Sequence, residues 1–133
     1  MAVKTPKKLI LLVEDEPQIV EVYQIALNTA GFEVESIAMG RDVIEKMKKV
    51  RSGQLGKPDL ILLDLILPDI NGLEVLQEIR KYEETKNLSV IILTNYGDAE
   101  LEKNGYDLGV EQYLVKAHYT PTQLAALIKG MLE

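Results

Sequence analysis

Five polar side chains stand where aliphatic runs give out: Glu14 and Asp15 after "LILLV", Asp64 after "LILL", Thr94 after "VIIL" and Lys116 after "YLV". Asp64 is the most conspicuous, as the one polar residue between Leu60 and Pro68. An ionised carboxylate among aliphatics is costly unless it is paired, metal-bound or at the edge of the core. Three carboxylates brought together repel and raise one another's pKa unless a cation relieves them. Mg²⁺ suits such a set, because it takes near-octahedral oxygen ligation from one or two carboxylates, waters and a phosphate. Asp15 and Asp64 are the candidate carboxylate ligands, with Glu14 acting directly or through water. With a divalent metal and Lys116 keeping it ionised, Asp64 is a competent nucleophile towards a phosphoryl group and would form an aspartyl phosphate. Thr94 and Lys116 would donate to the phosphoryl oxygens, since these transfers are catalysed mainly by positioning and charge neutralisation.

That chemistry requires the five residues to meet, and the pattern between them supplies a way. "KLILLV" (Lys8–Val13) reads as a strand. Pro17 suits a first helical turn, and Ile19, Tyr23, Ala26, Leu27 and Ala30 follow at helical spacing until Gly31. "FEVESI" (Phe32–Ile37) alternates with period two, and Arg41–Val50 returns to helical spacing before the loop "SGQLGKP". Asp59–Leu63 is the third strand, and "PDING" is a turn. From Leu73 to about Tyr82 a helix carries Leu76, Ile79 and Tyr82 on one face. Ser89–Leu93 is the fourth strand, a weaker helix spans Asp98 to Leu108, and Glu111–Val115 is the fifth strand. Thr120-Pro121-Thr122-Gln123 has the form of a capping box. The helix it starts places Leu124, Leu127, Ile128 and Met131 on one stripe.

Strands alternating with helices imply right-handed crossovers and a parallel sheet covered on both faces. Strands one, three and four are continuous aliphatic runs, as central strands are. Strands two and five carry Glu33, Glu35, Glu111 and Gln112, as edges do. The order 2-1-3-4-5 satisfies both observations, which makes the fold class α/β, a flavodoxin-like three-layer (βα)5 sandwich. Ligands in such sheets bind beyond the carboxyl ends of the strands, where all five polar residues fall.

With 133 residues and 47% hydrophobic content, the chain is sized for one domain with a proper core. It contains no cysteine, so disulfides and thiolate metal sites are excluded. No apolar run approaches the roughly 20 residues that cross a bilayer, and "MAVKTPKK" lacks a signal peptide's apolar segment. A cytoplasmic protein without a membrane partner is the expectation. A net charge of −6 argues against binding nucleic acid, which needs a basic surface. Lys4, Lys7 and Lys8 make a small basic start, taken as a solvated tail over residues 1–7 ahead of a domain at 8–133.

"LILLVEDEP", "DLILLDLILPDINGLEVL", "VIILT" and "EQYLVK", in this order and each at a strand end, make the chain resemble the receiver domain of two-component response regulators, the CheY-like family. The resemblance runs from about Lys8 to Leu132. It implies that Asp64 accepts phosphate from a sensor histidine kinase or a phosphotransfer protein. It implies that Glu14 and Asp15 bind Mg²⁺ with Asp64 and the backbone carbonyl of Ile66. Thr94 would be the switch hydroxyl, grouped with Asn95 and the phosphate-pairing Lys116, and Tyr113 the aromatic whose rotamer follows activation. The resemblance points to a stand-alone phosphorylation switch acting on a downstream protein, rather than a metabolic enzyme. A pseudo-receiver that binds partners without phosphorylation is the alternative, but it should have lost some of these residues. A flavodoxin needs a hydroxyl-rich phosphate loop where this chain has "VEDEP". A haloacid dehalogenase-type phosphatase needs a second Asp where this chain has Ile66.

Ordinary roles compete at each position. Asp64 could cap the following turn, Glu14-Asp15 could cap the first helix, Thr94 could simply end a strand, and Tyr113 could pack an edge. His118, the only histidine, has no helical context like that of a phosphotransfer histidine and receives no role. The chain also departs from the common receiver pattern. Ala117 stands where many receivers carry a cis proline. A cis bond without proline costs roughly 3–4 kcal/mol, so a trans bond with a rearranged loop, or a strained cis bond, is expected. Asn95 replaces a small residue. Ile66 and Tyr96, at positions that tune hydrolysis in the family, lack a carboxylate to orient water, and slow autodephosphorylation is expected. Gly105, in the middle of the weaker helix, serves either close approach to the sheet or a softness suited to rearrangement.

Overall fold

In the computed structural model, which describes residues 6–133, each expected element is present in the expected order. Lys4 and most of the expected basic tail lie outside the described residues. The strands are β1 (Leu9–Val13), β2 (Glu33–Ile37), β3 (Leu60–Leu63), β4 (Val90–Thr94) and β5 (Gln112–Val115). They form one parallel sheet in the order β2-β1-β3-β4-β5. The helices are α1 (Pro17–Thr29), α2 (Gly40–Arg51), α3 (Gly72–Lys81), α4 (Ala99–Asp107) and α5 (Pro121–Leu132).

The two-residue period of the central strands divides the core in two. Leu11, Val13, Ile61, Leu63, Val90 and Ile92 face α2 and α3, packing on Val43, Met47, Val75, Leu76 and Ile79. Ile10, Leu12, Leu60, Leu62, Ile91 and Leu93 face α1 and α5, packing on Tyr23, Leu27, Leu124 and Ile128. Every residue of β3 and β4 is buried, as continuous aliphatic texture predicts for central strands.

Chain punctuation follows local chemistry. Pro17 opens α1, and the Thr120–Gln123 capping box opens α5 with both reciprocal bonds made. Asn71 caps α3 through the Leu73 amide at 2.9 Å. Gly31, with φ of 100°, follows α1 in the left-handed region that favours glycine. Two packing expectations are corrected. Met131 is 37% exposed, because the stripe of α5 that meets the core runs through Leu124, Ala125 and Ile128 and continues to the partly buried Leu132 rather than to Met131. Tyr82 is only half-buried, because it follows the last turn of α3 and its ring instead receives the Arg51 guanidinium at 3.7 Å.

Gly105 is where α4 comes closest to the sheet: a Cβ there would stand 2.6 Å from Ile92 Cδ1. Close approach, the plainer of the two readings, therefore accounts for this glycine.

Candidate functional site

The parallel register carries the ends of β1, β3 and β5 to one edge of the sheet. Val13 pairs with Leu63, and Thr94 with Val115, so the residues after each strand emerge side by side. There the Lys116 ammonium donates to Glu14 Oε1 and to Asp64 Oδ2, the latter at 2.9 Å. All three are nearly buried: Glu14 is 3% and Asp64 6% exposed, and the Lys116 side chain 8%. Asp15 is exposed, yet one oxygen from each of Glu14, Asp15 and Asp64 fits within 4.8 Å of the others.

The remaining lone pairs are only partly used. Glu14 Oε2 accepts from the Asp15 amide at 2.9 Å, and Asp64 Oδ1 from the Ile66 amide at 3.1 Å. Burial first, and then the neighbouring Asp64 charge, pushes the Glu14 pKa up, against the pull of Lys116. For Lys116 burial disfavours the ammonium, but the bonds to Glu14 and Asp64 outweigh it and hold its pKa above the ordinary lysine value. One ammonium thus pairs with two of the three carboxylates, and the cluster stays short of positive charge.

The ordinary roles fare unevenly. Neither Glu14 nor Asp15 caps α1; its N-cap residue is Glu16, which makes no side-chain cap bond. Asp64 does brace the following turn through Ile66, but its second oxygen is committed to Lys116. Thr94 ends β4 at 1% exposure, and its Oγ1 is buried with no hydrogen-bond partner among the described residues. A buried hydroxyl without a partner is costly to folding and needs a reason.

The other candidates lie around this cluster. Ile66 and Tyr96 are 57% and 60% exposed, and Asn95 is exposed too. Tyr113 is buried and donates its hydroxyl to the Tyr96 carbonyl at 2.7 Å, tying β5 to the loop after β4. Burial, with the Asp98 and Glu102 charges behind it, raises its pKa. Every peptide bond among the described residues is trans, and Lys116–His118 winds into a single 3-10 turn. That is the trans alternative with an altered loop. His118 is exposed on this turn.

Two contributors were not anticipated from sequence. Tyr23 of α1 is buried beside the cluster, grouped with Leu12, Leu62 and Leu93 around Glu14, Asp64 and Lys116. Its helical spacing marked it only as core. Asp69, in the loop after Asp64, accepts from the Gly40 and Arg41 amides of α2, both at 2.9 Å. "PDING" signalled a turn, and nothing local signals a partner some thirty residues away.

Comparison with known proteins agrees with this geometry. Residues 10–129 match the family described as response regulator receiver domain. The chain is 34% identical over 127 residues to the probable transcriptional regulator ycf27 of Cyanophora paradoxa, covering 96% of this chain and 49% of that protein. It is 33% identical to the phosphate regulon transcriptional regulatory protein PhoB of Rhizobium meliloti, covering 93% and 52%. The chain thus spans about half the length of the curated relatives it matches. Among solved structures, the phosphorylated cyanobacterial phytochrome response regulator RcpA superposes with a TM-score of 0.80 at 32% identity, covering 95% of this chain and 91% of that one. The Mn²⁺-bound form of response regulator Rcp1 gives a TM-score of 0.79 at 31% identity, covering 93% and 91%.

Proposed function

The chain belongs to the response regulator receiver domain family of two-component signalling, and from that premise we propose that it is a phosphorylation switch with Asp64 as the phosphoacceptor. The observation that carries this is the incompletely satisfied cluster: two buried acids share a single ammonium with a third, exposed acid close by, beside a buried hydroxyl that has no partner among the described residues. A cluster kept only for stability would be expected to match its donors and acceptors.

Glu14, Asp15 and Asp64, with the Ile66 backbone carbonyl, would hold a divalent cation. The all-oxygen, carboxylate-rich donor set fits Mg²⁺, and a neighbour in this family was solved with Mn²⁺. When bound, the metal would neutralise charge on the incoming phosphoryl oxygens. The Asp64 carboxylate attacks phosphorus in line as the bond to the donor breaks. With a phosphohistidine on a sensor kinase or phosphotransfer protein, the electron pair returns to the imidazole nitrogen, which takes up a proton. Lys116 then has a phosphoryl oxygen to bond in place of the Asp64 carboxylate, and Thr94 gains the acceptor it lacks. Shifts of Thr94 and of the Tyr96 carbonyl would reach Tyr113 through its 2.7 Å hydrogen bond, altering the surface offered to a downstream protein. Ile66 and Tyr96 supply no carboxylate to orient water, which supports a long-lived phosphorylated state. We take residues 8–133 as the domain. Among the described residues no helix is long and apolar enough to cross a membrane, which fits a cytoplasmic setting.

Incubation with Mg²⁺ and acetyl phosphate, read by intact mass, tests this. One phosphoryl group should add to the native chain and none to Asp64→Asn or in the presence of EDTA. Equal labelling of Asp64→Asn would overturn the assignment.

A further inference from the structure

Helix α2 begins without a cap of its own: its N-cap residue, Met39, has no oxygen to offer and no side-chain cap bond is made. The orphan amides of its first turn are satisfied from outside, Gly40 by Asp69 Oδ1 and Arg41 by Asp69 Oδ2, both at 2.9 Å. Asp69 Oδ1 also accepts from the Ile70 amide at 2.9 Å. These bonds lower the Asp69 carboxyl pKa from its ordinary value, with the Arg41 amide the largest influence. Both neighbouring glycines are close-contact positions. A Cβ on Gly40 would come 2.5 Å from Ile70 Cγ1, and one on Gly72 would come 2.4 Å from the Asp64 carbonyl oxygen. The loop closes on itself through Gly72 N to Leu65 O, at 2.9 Å, and an antiparallel bridge between Ile66 and Asn71.

The segment from Asp64 to Gly72 is therefore fixed at three places: β3, the start of α3 and the start of α2, which it meets through the packing of Ile70 on Gly40 and, in hydrogen bonds, through the Asp69 carboxylate. Its inner end carries Asp64 and the Ile66 amide that holds Asp64 Oδ1 at 3.1 Å.

We propose that Asp69 is a positioning residue that, by clamping this loop to the first turn of α2, holds Ile66 against Asp64 and so sets the lifetime of the phosphorylated state. The inference rests on the reading of Asp64 as phosphoacceptor. In hydrolysis a water oxygen bonds to phosphorus, the bond from phosphorus to the Asp64 oxygen breaks, its electron pair restores the carboxylate, and the water proton leaves with phosphate or solvent. Ile66, bulky and 57% exposed, stands beside that carboxylate without a group to orient the water. Freed from the clamp, the loop lets Ile66 move away and water enter.

The test compares native protein, Asp69→Asn and Asp69→Ala in two measurements. The first is amide hydrogen exchange at Ile66 and Gly72 in unphosphorylated protein. The second is phosphoryl loss after labelling with acetyl phosphate and removal of excess donor. Asp69→Ala should speed exchange at both amides and shorten the lifetime several-fold. Asp69→Asn, which keeps one accepting oxygen, should fall between. Gly40→Ala, which retains Asp69 but drives a methyl into Ile70, is the second probe should Asp69→Ala fold poorly, and should shorten the lifetime likewise. Unchanged exchange, or a native lifetime in variants with faster exchange, would overturn the proposal. A native protein that takes no phosphoryl group sinks the phosphoacceptor reading instead, and exchange at Ile66 still decides whether the clamp exists.

Discussion

The two ends of the sheet handle buried polarity in opposite ways. At the amino ends of the strands, Arg80 of α3 reaches four backbone carbonyls: Leu108 at 2.6 Å, Leu88 at 2.7 Å, Lys86 at 3.0 Å and Gly109 at 3.2 Å. Burial lowers its pKa, but each contact meets a complementary acceptor. Thr85, fully buried nearby, gives its hydroxyl to the Ile79 carbonyl at 2.8 Å. At the carboxyl ends, Lys116 is divided between two acids, and Thr94, just as buried, has no partner among the described residues. Two threonines at 0% and 1% exposure thus meet opposite fates. Matched donors and acceptors lie at the end that holds the fold together, and the unmatched hydroxyl lies at the end where the proposed phosphoryl chemistry would take place.

Five substitutions can break or sharpen that contrast. Lys116→Met strands Glu14 and Asp64 as buried charges. It should cost about 4 kcal/mol in denaturant unfolding without divalent cation. Added Mg²⁺ should recover part of that loss, and phosphoryl uptake should fall sharply. Arg80→Ala abandons four carbonyls at the other end. A loss of about 3 kcal/mol is expected, with acetyl phosphate labelling at the native rate once the protein is folded. Should labelling fall with stability, the two ends are not separable. Gly72→Ala forces a methyl onto the Asp64 backbone and should cost about 2 kcal/mol by overpacking, with slower phosphoryl uptake. Thr94→Val is the most diagnostic, since it removes the orphan hydroxyl. It should raise stability by about 1 kcal/mol while slowing uptake. The same change at Thr85, whose hydroxyl is bonded, should lower stability.

The smallest effect concerns pH. The Lys116 pKa lies higher folded than unfolded, so its contribution is fully present below the ordinary lysine value of 10.5 and is lost as pH rises through the folded value. The stability gap between native protein and Lys116→Met should accordingly narrow on the alkaline side, as read from urea midpoints.

How much of this was legible in the sequence follows from the range of each interaction. Strands and their order could be read because burial on two faces leaves continuous aliphatic runs, while edges admit Glu33, Glu35 and Gln112. The site could be read because a parallel sheet gathers whatever follows each strand, and acids after "LILLV" and "LILL" have few ordinary uses. That Asp15 would lie exposed while Glu14 is buried with Lys116 depends on the direction of the chain after β1, which composition does not encode. Asp69 accepts from backbone amides and Arg80 donates to backbone carbonyls of distant segments, and a backbone donor or acceptor leaves no trace in residue type. Met131 was misplaced because steps of three and four from Ile128 share a face, and spacing does not show that Leu132 rather than Met131 meets the core.

The most direct test of Asp64 as phosphoacceptor is borohydride reduction after treatment with Mg²⁺ and acetyl phosphate, followed by peptide mapping. An acyl phosphate at Asp64 is reduced to homoserine, so the account predicts homoserine at position 64 and native aspartate at position 15. Homoserine elsewhere, or a phosphoryl group that survives on a hydroxyl or imidazole while Asp64 stays intact, would contradict it.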